Sequence, residues 1–293
     1  MMFAWLTLQT LLVLAAVQVV GAARSRLAAS AALSMTTLLL PLIAPVPALV
    51  RALMASLTLL AVLKVLQIAR QAEGWSPRER TWHALMPFDV RNTQRVGRSF
   101  DRRLALTVAL HATAALLALL VLFLLPRDDS LGAVLARWAL GLGMVYSGVE
   151  AIVDALRLVH RLWGVSVPAI QRLPLASRSL AEFWNSRWNR SVSGWLSEFV
   201  FRPVASRFGR GAGVFAAFTV SAAAHAWVFY CAVGARAALM AGAFFLLHGA
   251  LVLVEAAIGI RAAAPVLQRA WTLGLLGASS PLFVEPVLQV FGV

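Results

Sequence analysis

Three histidines lie inside long apolar runs: His111, His225 and His248. An ionisable side chain in hydrocarbon is costly, so such residues usually face a bundle interior, a cavity or a substrate path. Burial disfavours the imidazolium, which leaves a histidine there neutral and able to accept a proton. That is the chemistry needed to activate a hydroxyl, a poor nucleophile until its proton is taken. A neutral histidine can equally hydrogen-bond to a neighbouring helix, so for each of the three alone both packing and chemistry stay open. His225 sits after Ser221-Ala222-Ala223-Ala224, small residues that allow close backbone approach, and before Trp227, Phe229 and Tyr230, aromatics that could wall a pocket. His248 follows Phe244 and Phe245 and precedes Gly249, with Glu255 seven residues on and so on about the same helical face.

The elements that must position these residues are membrane helices. The chain has 293 residues, 61% of them hydrophobic and only 13% charged, far from the balance of a soluble domain. Apolar runs cover 3–20, 27–50, 52–69, 104–125, 131–149, 214–233, 238–260 and 266–291. At about 20 residues per crossing these predict about eight transmembrane helices. Pro41, Pro45 and Pro47 break the far end of the second run, and Pro281 and Pro286 interrupt the last. No lysine or arginine precedes the first run, whereas Arg24 and Arg26 follow it. That suits a first spanning helix with an outside N-terminus better than a secretory leader cleaved near Gly21, Ala22 and Ala23.

This orientation puts the arginine-rich loop from Arg70 to Arg103 inside, Asp128 and Asp129 outside, and the basic segment from Arg157 to Arg210 inside. The net charge of +14 is almost wholly arginine, Lys64 being the sole lysine. Such a charge suits nucleic acid or an anionic membrane surface, and its placement between apolar runs selects the membrane. Cys231 is the only cysteine, which excludes an intrachain disulfide framework and a thiolate metal cluster. Without internal repeats or low-complexity linkers, residues 1–293 read as a single all-α, polytopic membrane domain. Between the fifth and sixth spans, residues 156–213 mix arginines with Trp163, Phe183, Trp184, Trp188, Trp195, Phe199 and Phe201, a blend of the headgroup interface or of re-entrant helices.

Within that segment the run Ser179-Leu180-Ala181-Glu182-Phe183-Trp184-Asn185-Ser186-Arg187-Trp188-Asn189 resembles the SL-x-x-FW-x-x-RWN signature of wax synthase-like members of the membrane-bound O-acyltransferases. Three further matches follow in the family's order: Phe201-Arg202-Pro203-Val204, Ser221 to His225, and Phe244 to Gly249 with Glu255. The resemblance is good over 163–255, with 154–260 as the best-matched catalytic region, and weak over the N-terminal half apart from Met86-Pro87-Phe88-Asp89-Val90-Arg91. Ser186 stands where sterol and diacylglycerol acyltransferases commonly have aspartate, and Arg187 replaces their first tryptophan, which favours the wax synthase branch.

The resemblance implies acyl transfer from a thioester, commonly acyl-CoA, to the hydroxyl of a lipophilic alcohol. His225 matches the catalytic histidine and Asn189 the asparagine that ends the related motif, with Trp184, Asn185, Arg187, Trp188, His248 and Glu255 expected around the substrates. An asparagine amide could orient the donor or stabilise the developing oxyanion, a role worth about 3 kcal/mol where measured. With no serine or cysteine in a nucleophile motif, direct transfer is expected rather than a covalent acyl-enzyme.

No cofactor or metal is expected, acyl-CoA being a co-substrate. Arg187, Arg190 and Arg202 are candidates for its phosphates, though arginines there also set topology and contact anionic lipid. The expected partners are acyl-CoA, a lipophilic alcohol and membrane lipid, without nucleic acid, and the expected location is a bacterial inner membrane. Three other readings stay open: the same chemistry on a sugar, sterol or specialised metabolite, a transporter or channel with His111, His225, His248, Glu150 and Asp154 along a polar path, and a catalytically silent membrane scaffold.

Overall fold

Each of the eight apolar stretches forms helix, and prolines set where several of them stop. The computed structural model describes residues 2–20, 24–71, 75–86, 88–126 and 130–293. The candidate cleavage residues Gly21 to Ala23, Pro87 of the basic loop, and Asp128 and Asp129 lie outside the described residues. Among the described residues, five helices are long and apolar enough to cross a membrane, and a sixth span results if the bent pair at the C-terminal end counts as one. The apolar helices at Phe3–Val19 and Ala29–Ile43 are shorter. The contacts divide the chain into two units, Met1–Arg91 with Ala224–Ala238, and Asn92–Ala223 with Leu239–Val293.

The first unit contains α1 (Met2–Val19), α2 (Arg24–Ile43), α3 (Ala48–Gln71) and α4 (Pro77–Leu85). The expected second span, 27–50, stops early: Pro45 and Pro47 cannot donate to a helix ladder, so α2 ends at Ile43 and α3 begins at Ala48. The helices pack through Ala16, Val17, Val20, Val65 and Ile68, and farther along through Leu40, Ala44 and Met54. Buried amide and hydroxyl groups tie them where there is no water to satisfy them. Gln9 Nε2 donates to the Met54 carbonyl at 2.6 Å and to Thr58 Oγ1 at 2.8 Å, and Ser30 Oγ donates to the Ala16 carbonyl at 2.9 Å. Ser76 and Glu79 close a reciprocal capping box on α4. That helix delivers His83, wholly buried, to Gln67 Oε1 at 3.0 Å.

The second unit opens with α5 (Arg102–Leu124) and α6 (Leu131–Leu162) packed antiparallel. The expected fifth span ended at Val149, but α6 continues thirteen residues further, to Leu162. Its polar residues fall on one buried face, so hydropathy drops while the helix goes on: Glu150 and Asp154 are buried, Tyr146 donates to Glu150, and Arg157 pairs with Asp154 at 2.6 Å. A two-residue antiparallel pair of β1 (Gln94–Arg95) and β2 (Val165–Ser166) follows, with Gln94 opposite Ser166.

Short elements then form the segment expected to be re-entrant or interfacial: α7 (Leu180–Glu182), a π turn at Phe183–Arg187, α8 (Arg190–Leu196), a second π turn at Ser197–Phe201 and α9 (Arg202–Phe208). The long helices α10 (Arg210–Val233) and α11 (Ala235–Ile258) are joined by Gly234 alone, whose φ of 103° favours a residue without Cβ. Last come α12 (Pro265–Ser279) and α13 (Pro281–Phe291), bent by 45° where Pro281 interrupts the ladder. Leu122, Met144, Val284 and Leu288 bury α13 against α5 and α6.

Candidate active site

The signature segment begins with Ser179, whose Oγ accepts from the Glu182 N–H at 2.9 Å as the cap of α7. The buried Glu255 carboxylate, from α11, accepts the N–H groups of Leu180 at 2.8 Å and Ala181 at 3.1 Å. The turn then widens, and Trp188 N–H donates to the Phe183 carbonyl at 2.8 Å, five residues back, closing the π turn. Such insertions re-aim side chains, and this one sends its rings to two different sets of neighbours. Phe183 stacks on Trp188 at 5.6 Å, and Trp188 stacks in turn on Tyr146 of α6 at 6.5 Å. Trp184 points the other way, into Phe218 of α10 and Phe244 and Phe245 of α11, with centroids 5.5 to 6.1 Å away.

Inside that aromatic cage the Trp184 Nε1–H donates to His248 Nδ1 at 2.8 Å. His248 is wholly buried, and its Nε2 lies 2.8 Å from Ser279 Oγ. The Ser279 hydroxyl itself donates to the Leu275 carbonyl at 2.7 Å. Indole is a donor only, so Nδ1 must accept, and the ring is assigned from its partners as the neutral Nε2–H tautomer. Neither ring nitrogen is left for a substrate.

Arg187 is similarly committed. Its Nε donates to Glu182 Oε1 at 2.7 Å, and Nη1 donates to the carbonyls of Arg172 at 3.1 Å and Leu173 at 3.2 Å. Burial raises the Glu182 carboxyl, but the Arg178 N–H and the Arg187 guanidinium outweigh it and hold it below the usual range. The carbonyls Arg187 grips bracket Leu173, which sits in the left-handed region at φ 48°. Arg190 Nη1 donates to the Ala169 carbonyl at 3.1 Å, so residues 169–173 are stitched along the signature. Of the three arginines expected to meet phosphate, two are thus engaged by this loop, whereas Arg202 is exposed at the start of α9.

Asn189 also adopts the left-handed region, at φ 38°, a conformation asparagine tolerates better than most residues. Its N–H donates to Gln171 Oε1 at 3.0 Å, and its Oδ1 accepts from Val192 N–H at 3.3 Å as the cap of α8. The Nδ2 amide makes no hydrogen bond among the described residues. Asn185 is exposed, its carbonyl accepting from Ser193 Oγ at 3.2 Å. His225 is half-buried on α10, in the stretch that belongs to the first unit, with Ser221 and Ala222 one turn before it. Trp184, Trp188, Asn189, His248 and Glu255 all belong to the second unit.

Four contributors were given no role from the sequence. Ser179 and Glu182 form an S-x-x-E start signal that marks the helix turn at the head of the signature. Gln171 and Ser279 carry no local signal, since each matters only through a partner 18 or 31 residues away.

A helical integral membrane protein with a polar signature folded back into its aromatic interior is the class this architecture defines. Residues 167–247 match the model of the Membrane bound O-acyl transferase family. It is 33% identical over 122 residues to a probable long-chain-alcohol O-fatty-acyltransferase 7 of Arabidopsis thaliana, covering 39% of this chain and 36% of that relative. It is 32% identical over 119 residues to the long-chain-alcohol O-fatty-acyltransferase of Simmondsia chinensis, covering 38% and 34%. The likeness is to the wax synthase-like branch, and it spans little more than a third of these relatives' own lengths.

Proposed function

We propose that the chain transfers an acyl group from an acyl thioester, acyl-CoA, to the hydroxyl of a lipophilic alcohol such as a long-chain fatty alcohol. The observation that carries this reading is the coincidence of the family match with the folded signature segment, in a chain similar to proteins named for that reaction. These relatives are plant proteins, so the proposal is of a membrane location without the bacterial inner membrane expected above.

In this proposal His225 is the general base. A ring nitrogen of the neutral imidazole takes the hydroxyl proton as the alcohol oxygen attacks the thioester carbonyl carbon. The tetrahedral oxyanion collapses, the C–S bond breaks, and the thiolate takes the proton back from the imidazolium, leaving ester and free thiol. Asn189, whose Nδ2 amide is uncommitted among the described residues, supplies a donor that either orients the thioester or stabilises the oxyanion. An acyl chain and a lipophilic alcohol both partition into hydrocarbon, which accounts for housing the reaction in a membrane.

The test is ester formation by the membrane-reconstituted full chain from labelled palmitoyl-CoA and hexadecanol, with sterol and sugar acceptors alongside. His225→Ala is expected to lower the rate about 10² to 10⁴-fold. Ester formation that survives the substitution removes His225 as the base. No product across the acceptor panel with the wild-type chain refutes acyl transfer itself.

A further inference from the structure

We propose that His248 is a positioning residue for the transfer described above, on which this inference rests: held as a neutral ring between Trp184 and Ser279, it fixes the Trp184 indole. In doing so it ties the π turn to the break between α12 and α13.

Both ring nitrogens are spent, Nδ1 on the Trp184 N–H and Nε2–H on the Ser279 hydroxyl, so no lone pair remains to take a substrate proton. His248 therefore acts through the residue it holds. Trp184 has a single polar atom, and around it Phe218, Phe244 and Phe245 offer only ring faces and edges. Within that cage the one hydrogen bond decides which way the indole faces, since a flipped ring would bury its N–H against carbon. The flanking signature residues depend on this choice, because Trp184 lies in the π turn that the Trp188 N–H closes, and Phe183 packs on both indoles.

The other nitrogen reaches the C-terminal end of α12. Ser279 is the last residue of that helix, immediately before Ser280 and the 45° bend at Pro281. The bend thus has a fixed point, and that point is the same ring that orients Trp184. Imidazole suits the task because it presents an acceptor and a donor on opposite sides of one rigid plane. Asparagine can replace only the Nδ1 position, and glutamine only the Nε2 position. Glu255, two turns further along α11, holds the start of the same segment, so one face of this helix meets the signature in antiparallel order: 255 with 180, and 248 with 184.

The first arm of the test does not depend on catalysis. The full chain, labelled with 15N-histidine and reconstituted in phosphatidylcholine nanodiscs, is expected to show an Nε2–H tautomer signal, separate from that of His83 on Gln67, that is lost in His248→Asn and thereby assigned to His248. Its Nδ1 resonance should move in Trp184→Phe and its Nε2 resonance in Ser279→Ala. An Nδ1–H tautomer at the His248 signal, or a His248 Nδ1 resonance indifferent to Trp184→Phe, overturns the inference.

The second arm reads ester formation. His248→Leu is expected to lower kcat at least about tenfold, with KM for palmitoyl-CoA within about twofold of wild type. His248→Asn, which keeps an acceptor where Nδ1 sits, should stay within about threefold of wild-type kcat. The double variant Trp184→Phe with His248→Leu should be no worse than His248→Leu alone, because His248→Leu already removes the bond that Trp184→Phe would break. Asparagine as poor as leucine, or losses that multiply, would overturn the assignment. If the leucine variant fails to fold, asparagine against Trp184→Phe makes the same comparison. A wrong tautomer in a chain that forms ester refutes this inference alone, whereas a correct tautomer in a chain that forms none refutes the acyl-transfer reading.

Discussion

Glu255 and Leu180 meet across 75 positions of sequence, with the carboxylate of one accepting the backbone N–H of the other at 2.8 Å and the neighbouring Ala181 N–H at 3.1 Å. This contact commits the Glu255 carboxylate to the protein's own main chain. A carboxylate that is 3% exposed is costly unless its oxygens are satisfied, and two amides at the head of a helical turn satisfy them. Removing it as Glu255→Ala leaves the buried Leu180 N–H and the half-buried Ala181 N–H without this partner, a loss of about 2 to 4 kcal/mol. Glu255→Gln, which keeps one acceptor oxygen, is expected to lose less. Thermal unfolding of the reconstituted chain should rank wild type above glutamine and glutamine above alanine. An alanine variant as stable as wild type would remove the anchoring role.

Gly249 follows His248, and a Cβ built there would stand 2.8 Å from Phe218 Cβ and 3.0 Å from its Cγ. Those atoms are at the root of the side chain and cannot swing away, so Gly249→Ala must push α10 from α11 where the two hold Trp184. The expected cost is about 1 to 3 kcal/mol, with ester formation falling alongside it. Gly274, exposed inside α12 with nothing within 4 Å of a Cβ, is the matched control. Gly274→Ala should be neutral or stabilising by up to about 1 kcal/mol. Equal unfolding temperatures for the two variants would contradict the close approach.

His83 predicts a pH dependence confined to the first unit. Burial lowers its pKa from 6.5 to about 4, and the nearby Lys64 and Arg91 charges act in the same sense while Asp89 opposes them. Because the folded pKa lies below the unfolded one, the unfolded chain binds the proton first. Stability is therefore whole above about pH 6.5 and declines as pH falls toward 4, by about 3 kcal/mol when complete. Unfolding midpoints at pH 7.5, 6 and 4.5 should fall more steeply for wild type than for His83→Leu. Parallel curves would show that other groups carry the acid sensitivity.

How far the sequence could be read is clearest at particular residues. Hydropathy located the helices because a span must be continuous and apolar, and it missed the end of α6 because Glu150, Asp154 and Arg157 are polar yet lie on a helix that continues to Leu162. The signature marked the right segment, but types and spacing say nothing of partners. Arg187, read as a phosphate ligand, spends its guanidinium on Glu182 and on the carbonyls around Leu173. His248 was one of three equivalent-looking histidines, and only the approach of Ser279, 31 residues on, shows what both its nitrogens do. The π turn that sets these directions has no sequence pattern in the chain's own periodicity.

Asn189 offers the sharpest separation of fold from chemistry, since it has two jobs that different substitutions divide. Its left-handed backbone and its Oδ1 cap on Val192 are structural, and its Nδ2 amide is the part proposed to act on the substrate. Asn189→Asp keeps a cap oxygen and a residue type that tolerates the left-handed region, but has no amide donor. Asn189→Gly relieves the backbone and loses both cap and donor, and Asn189→Ala loses both while straining the backbone. If the amide stabilises the transition state, aspartate should unfold within about 1 kcal/mol of wild type yet lose about 10² to 10³-fold in turnover. Glycine should lose activity to a similar degree, and alanine should be the least stable of the three. Aspartate with near wild-type turnover would reduce Asn189 to its cap and its backbone, and the oxyanion donor would then have to be another group.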